Sequence, residues 1–488
     1  MAAAATAIDP ADVAGATRPE ADHRFVMWVL CAFAGWPLLK IANVQLLEMF
    51  MLLHGTYLAL RWMARGFTIP VEGIWNRPGR WQGWVMLCVF LVSLSSMRMQ
   101  AYPPMYGPFF LHVPALTVVL RYLEFTLCVF YGLYAAELMR RDARLREYAM
   151  KVYLWSAMVS AWLTFACYPA FRLAHLELLI YGDGRGRGGF TEGGPWGLYL
   201  VTACIVARIL AARKEISQPK MVLVIVTMAA AFLVARSKAS AGCALLIFLT
   251  GIFWKSNWRQ KITSLFAIAL VCTAIYYLLD VQDTWEKLMK ARKMAEVMVR
   301  FDRDNPSTAY GRLAASVIVP RMIEQHPLTG IGFGNYPVMR NDPTYLGMMF
   351  PVRYYDLPGL GLISLTAEIG IPSLIALYVI MFYPAYWANK TGAHRLVFTL
   401  ALCQPVVTLI GAQVTFYYPW LMSAFAISFL PLAHGKMVAR RRVVRPRTGA
   451  GKIAVTTTGT ATGTAAGTSP LTAYCERKGG GISATAWR

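Results

Sequence analysis

Long apolar runs separated by short polar punctuation dominate this chain. A membrane-crossing helix needs about 20 mostly apolar residues, and about twelve runs approach that length. They fall at 25–41, 43–61, 82–98, 117–139, 148–168, 195–212, 220–236, 239–256, 262–280, 359–386, 394–416 and 418–435. Short turns join the first two runs, and also the seventh and eighth, so a count of about eleven fits as well. The pattern therefore predicts an all-α, polytopic integral membrane protein. Between the ninth and tenth runs, residues 281–358 form its one long polar stretch, which divides 24–280 from 359–436.

Lysine and arginine give the array a direction, because short cytoplasmic loops collect them. Arg61, Arg65, Arg77 and Arg80 follow the second run, and Arg140, Arg141, Arg144 and Arg146 follow the fourth. Arg213, Lys214 and Lys220 follow the sixth, Lys255, Arg259 and Lys261 the eighth, and Lys390 and Arg395 the tenth. The tail opens with Lys436 and Arg440–Arg442. With strict alternation all of these lie on one side, and 99–116, which has no Lys or Arg, lies on the other. Both termini are thus expected in the cytoplasm, with 99–116, 169–194 and 281–358 outside. Long loops escape this charge rule, so the arginines of 281–358 do not disturb the assignment.

Composition agrees with a membrane protein: 57% of residues are hydrophobic and 15% charged, with a mean hydropathy of +0.46. Cytoplasmic anchoring to anionic lipid accounts for most of the net charge of +23. No nucleic-acid-binding module is readable, so no nucleic-acid partner is expected. Residues 1–23 carry Asp9, Asp12, Glu20 and Asp22 with no basic leader, which predicts a disordered cytoplasmic segment rather than a cleaved signal. The Thr/Gly/Ala-rich part of 437–488 is low in complexity and is expected to be disordered. Eight cysteines (Cys31, Cys88, Cys128, Cys167, Cys204, Cys243, Cys272 and Cys403) scatter through the apolar runs and read as small apolar residues. Neither they nor the seven histidines show metal-ligand spacing, so no metal or other cofactor is expected.

The long polar stretch has internal order. Apolar positions at Trp285, Leu288, Met289, Ala295 and Val299 predict an amphipathic helix on the membrane surface. Asn305–Thr308 breaks it, and a second helix is predicted from Gly311 to about Gln325, ended by His326-Pro327. Gly330, Gly332 and Gly334 then alternate in a turn that no helix tolerates cheaply. Such a turn can aim successive backbone N–H groups at an anion, although an ordinary loop reads the same way.

Arg312-Leu313, Arg321 and HPLTGIGFGNY, followed by LTAEIGIPSLIALY, resemble the O-antigen ligase and O-antigen polymerase superfamily. RGRGGFTEGGPWGLYL at 185–200 and RSKASAGCALLIFL at 236–249 resemble two further segments of that family, in the right order and on the expected outer side. The resemblance implies a multi-span inner-membrane glycosyltransferase, acting on glycans linked to undecaprenyl diphosphate. Chain-length regulators and flippases would be its natural protein partners. It also implies a cationic site for the diphosphate, with Arg187, Arg236 or Lys238, Arg312 and Arg321 as candidates and Gly332 and Gly334 in the adjoining turn. Ten residues stand between Arg321 and Gly332, the spacing found in polymerase members. Each arginine also suits a plainer role, as a snorkelling or solvated side chain. Nine positions separate Arg312 from Arg321, which puts them on opposite faces of a regular helix unless Pro320 breaks it.

One departure from the family is clear. Ligase members carry a histidine near the end of the long loop, but no histidine occurs between His326 and Glu368. An acceptor hydroxyl needs a proton acceptor as it attacks, and Asp356 is nearest the missing position, with Glu192 and Asp183 as alternatives from another loop. This favours a polymerase of O-antigen, capsule or exopolysaccharide; transfer to lipid A-core, and a transporter or flippase, are the other readings. Inside the runs, Arg121 and Glu124 share a helix face and can neutralise one another, whereas Glu48 and Glu368 have no adjacent partner and are expected to face a cavity or to be protonated.

Overall fold

A computed structural model of the chain describes residues 19–41, 44–64, 77–175, 178–181, 184–253, 262, 311–347, 351–410 and 413–430. The expected surface helix at 281–300, nearly all of the ninth apolar run, Asp183, and residues 1–18 and 431–488 lie outside the described residues, whereas 19–23, expected to be disordered, open a helix.

Within them the fold is helical apart from one two-residue hairpin, Lys40–Ile41 with Val44–Gln45. The described helices are α1 (Pro19–Phe33), α2 (Leu46–Ala64), α3 (Arg77–Ser93), α4 (Pro114–Arg141), α5 (Ala143–Ala174), α6 (Gly193–Ala212), α7 (Gln218–Ala235) and α8 (Lys238–Phe253). They continue with α9 (Gly311–Gln325), the single turns α10 (Tyr336–Met339) and α11 (Pro343–Leu346), then α12 (Leu362–Lys390), α13 (Arg395–Ile410) and α14 (Tyr417–Ser428). Five of them, α4, α5, α6, α7 and α12, are long and apolar enough to cross a membrane. Shorter apolar helices lie at Gln82–Arg98, Lys238–Ile247 and Arg395–Leu409. The described residues thus form a polytopic helical membrane protein, while an array of about twelve spans goes beyond them.

α14 packs on α4 and α13, α12 on α3 and α13, α6 on α7, and α1 on α5. α6 is the most enclosed of the five long helices. Small residues let its neighbours approach, as membrane interfaces favour. A Cβ on Gly197 would stand 2.8 Å from that of Ser240 on α8, and one on Gly193 would stand 2.9 Å from the Ala235 carbonyl of α7. Cys31, Cys128, Cys243 and Cys403 are buried with free thiols, as small apolar fillers.

The polar residues sort to two ends. At one end Arg213 pairs with Glu147 (2.9 Å), Lys151 with Glu215 (2.6 Å), and Arg146 donates to the Ser428 carbonyl (2.9 Å). At the other, α9, α10 and α11 share a small core with Leu111 and Ala367, in which Ile318, Val319, Met322 and Tyr336 are fully buried. This cap is held to the loop after α3 by backbone hydrogen bonds from Tyr102 to Val338 (3.0 Å) and from Tyr106 to Arg353 (2.7 Å).

Glu48 does not face a cavity alone. It stands in the first turn of α2, where its carboxylate accepts the Gln45 N–H (3.0 Å) in the manner of a helix-start cap.

Candidate functional site

The glycine turn is built against a break in α12. Gly370 leaves the helical region (φ 75°, ψ 165°) just before Pro372, which frees backbone groups at membrane depth. The turn takes them up. Ile331 N–H donates to the Ala367 carbonyl (2.9 Å), Gly332 N–H to the Glu368 carbonyl (2.9 Å), and Ile371 N–H to the Pro327 carbonyl (2.9 Å). The two strands of backbone lie so close that a Cβ on Gly330 (φ 66°) would meet the peptide of Glu368 and Ile369. Phe333 N–H donates to Ser93 Oγ (3.3 Å), and buried Asn335 donates to Ser96 Oγ (3.1 Å), tying the turn to the end of α3.

The N–H groups of Gly334 and Tyr336 both reach the Glu368 carboxyl group. The turn therefore does hold an acidic group, and that group belongs to the protein. This argues against the reading of Gly332 as a phosphate-binding position, since its N–H already donates to the Glu368 carbonyl, and Gly334 stands beside the Glu368 carboxyl group. Their lack of side chains serves close approach: a Cβ on Gly334 (φ 75°) would lie 2.8 Å from the Cβ of Arg121.

Arg121 is the cation this geometry brings forward. It lies about two turns into α4, with Nη1 on Glu124 (2.8 Å) and Nη2 donating to the Tyr355 hydroxyl (2.7 Å). Burial pushes the Tyr355 phenol above its usual range, so it is protonated at neutral pH. Beside these groups a half-open cavity of about 150 Å³ is lined by Arg121, Glu192, Gly334, Tyr355, Glu368 and Gln413, among others. Among its described lining residues Arg121 is the one lysine or arginine. The walls come from the start of α6, the start of α8, the glycine turn, the segment 355–368 and the end of α13. All of these are ends that the charge pattern assigns to a single side.

The three motif segments meet here, though their arginines do not. In RGRGGF, Gly188 (φ 55°) and Gly189 pack against Trp196 and Gly35, and Phe190 is buried among Tyr199, Phe416 and Tyr418. Arg187 turns away over the Tyr181 ring (5.0 Å) and donates to the Leu178 carbonyl (3.2 Å). In RSKAS, Ser237 Oγ receives the Ser240 N–H (3.2 Å) at the start of α8, and Ser240 Oγ donates to Gly194 (2.7 Å). Arg236 and Lys238 are exposed, and neither lines the cavity.

α9 runs through Pro320 without a break, so the backbone kink that would let Arg312 and Arg321 meet does not form. Arg312 sits in its first turn. Arg321 donates to the Tyr345 carbonyl (2.9 Å) and fastens the cap. Asp356 is buried in an ion pair with fully buried Arg340 and is not among the cavity's lining residues. Glu192, by contrast, is exposed at the start of α6, caps no N–H with its side chain, and faces the cavity.

Fold and cavity together define a helical membrane protein with a chamber at one end of its bundle, floored by a broken helix. Residues 221–378, about a third of the chain, match the family model described as O-antigen ligase. Over that segment the chain is similar to the O-antigen ligase and polymerase superfamily. The match takes in α7, α8, the glycine turn and the broken part of α12. No curated protein matches the chain.

Arg121, Tyr355 and Gln413 escaped the sequence reading as site residues. Arg121 was visible only as half of a local pair, because Tyr355 lies 234 positions away.

Proposed function

We propose that the protein is a polysaccharide polymerase of the bacterial inner membrane. Its donor is a glycan on undecaprenyl diphosphate, and its acceptor is the terminal sugar of another lipid-linked repeat unit. The observation that carries this is the cavity with Arg121 and Tyr355 in one wall and an exposed Glu192 in another. An acceptor hydroxyl oxygen attacks the anomeric carbon, the bond from that carbon to the diphosphate oxygen breaks, and the diphosphate leaves with the electron pair. Arg121 and the Tyr355 hydroxyl stabilise the departing charge, since hydrogen bonds from a cation are roughly twice as strong as neutral ones. Glu192 takes the proton as the new glycosidic bond forms. The energy comes from the glycosyl diphosphate bond.

Arg312 is retained as a second phosphate contact. Polymerase is favoured over ligase because Tyr355, hydrogen-bonded to Arg121, stands in the stretch where ligase members carry their histidine. The broken helix is a feature transporters share; here its freed groups are bonded to the turn at 327–332 and do not line a substrate path.

The test is Arg121→Ala, Glu192→Gln and Arg312→Ala in cells deleted for the native gene, with surface and lipid-linked glycans separated by length. Single repeat units in place of long chains support the polymerase. Long lipid-linked chains that never reach lipid A indicate a ligase. Wild-type glycan from well-expressed Arg121→Ala and Glu192→Gln variants would sink the assignment.

A further inference from the structure

At the opposite end of the bundle a second cavity, of about 280 Å³, opens between α6, α8 and the start of α13. Ile205, Ile247 and Leu396 line it with apolar surface, and Arg208, His394 and Arg395 supply its polar groups. Four cations at this end have an acidic partner: Arg213 has Glu147, Lys151 has Glu215, and Arg140 and Arg141 share Glu137. Arg208 and Arg395 differ. They lie close enough to repel one another, and among the described residues neither side chain has a hydrogen-bond or ion-pair partner. No carboxylate is among the cavity's lining residues. His394 is held at the start of α13 by accepting the Leu396 N–H at Nδ1 (3.3 Å).

Two guanidinium groups that repel across a partly apolar cleft are stabilised by an anion placed between them. A guanidinium presents donors in a planar fork that matches phosphate oxygens. Basic pockets between helices at a membrane surface take lipid headgroups in this way. We propose that this cavity is a phosphate-binding site separate from the Arg121 chamber. Arg208 and Arg395 grip the phosphate of a lipid headgroup or of a soluble phosphate, and the apolar wall accepts an alkyl chain where one is attached.

The experiment uses the full chain in nanodiscs of phosphatidylcholine, with and without phosphatidylglycerol. Native mass spectrometry counts the phosphatidylglycerol retained, and thermal unfolding in pure phosphatidylcholine is followed as inorganic phosphate is added. Arg208→Gln/Arg395→Gln is expected to weaken phosphatidylglycerol retention about tenfold, equivalent to about 1.4 kcal/mol. Arg144→Gln/Lys220→Gln, which removes two exposed charges from the same end, is expected to retain it like the wild type. If phosphate instead raises the unfolding temperature of the wild type and not of the double glutamine variant, the source is a soluble phosphate. Arg208→Lys/Arg395→Lys keeps the charge without the fork, and weaker retention by this variant supports the site even if the glutamine variant fails to fold. Equal retention by all variants, together with no response to phosphate, overturns the proposal. So does an equal loss in Arg144→Gln/Lys220→Gln, which would mean diffuse charge.

Discussion

The two cavities use arginine in opposite ways. In the chamber beside the glycine turn, Arg121 is fixed by Glu124 and Tyr355 and lies within electrostatic reach of Glu368. At the other end, Arg208 and Arg395 line one cavity with no carboxylate among its lining residues. The first arrangement orients its cation before any ligand arrives, which suits charge that develops only during a reaction. The second offers more net charge and less orientation, which suits a resident anion. Clusters of basic residues in a sequence point to the second kind more readily than to the first.

The largest test of this contrast is Arg121→Ala. It should abolish glycan transfer, and it should also lower the unfolding temperature, because Glu124 and Tyr355 both lose a hydrogen-bond partner. Transfer by an Arg121→Ala protein at the wild-type rate would make the pair purely structural. Glu192→Gln should slow transfer about 100-fold while leaving the unfolding temperature unchanged, since the exposed side chain caps nothing. Recovery of part of the rate in Glu192→Asp, measured as kcat in vitro, separates proton transfer from packing.

Gly334→Ala comes next. Its left-handed backbone costs a side chain about 1–2 kcal/mol, and the new methyl group presses on Arg121. It should raise KM for the lipid-linked donor as well as destabilising. Gly330→Ala carries the same backbone strain against the Glu368 peptide, and should reduce stability with less effect on KM. Arg321→Ala removes one hydrogen bond to Tyr345 and should cost about 1 kcal/mol, read as a small drop in unfolding temperature.

The smallest effect is a pH dependence. Burial lowers the pKa of His326 below 6.5, with Nε2 against the Tyr345 hydroxyl (2.9 Å). Below pH 6.5 the unfolded chain binds more protons at this site than the folded one, so stability falls with acidification and recovers above that pH. His326→Gln should flatten the dependence in thermal scans between pH 5 and 7.

Much of the fold was legible because it follows from local chemistry. The helix over Gly311–Gln325 followed from the break at Asn305–Thr308 before it and from His326-Pro327, which marked its end. The gathering of 191–195, 333–337, 355–368 and 413–416 at one end agrees with the charge alternation of the loops. Site assignments failed where a role depends on a distant partner. Asp356 looked available until Arg340 closed on it, and Gly332 and Gly334 looked open to phosphate until Glu368 filled the turn. Arg187 belonged to a recognisable segment, yet it is that segment's glycines and Phe190 that pack into the bundle, against Trp196, Gly35 and Phe416.

By itself, then, the sequence determined the membrane class, the position of the glycine turn and the pairing of Arg121 with Glu124. Each depends on residues a few positions apart or on the composition of a single run. Only the tertiary structure decided which charges face a cavity. A carboxylate or guanidinium is available or spent according to what packs against it, and for Arg121 and Tyr355 that neighbour lies more than two hundred residues along the chain.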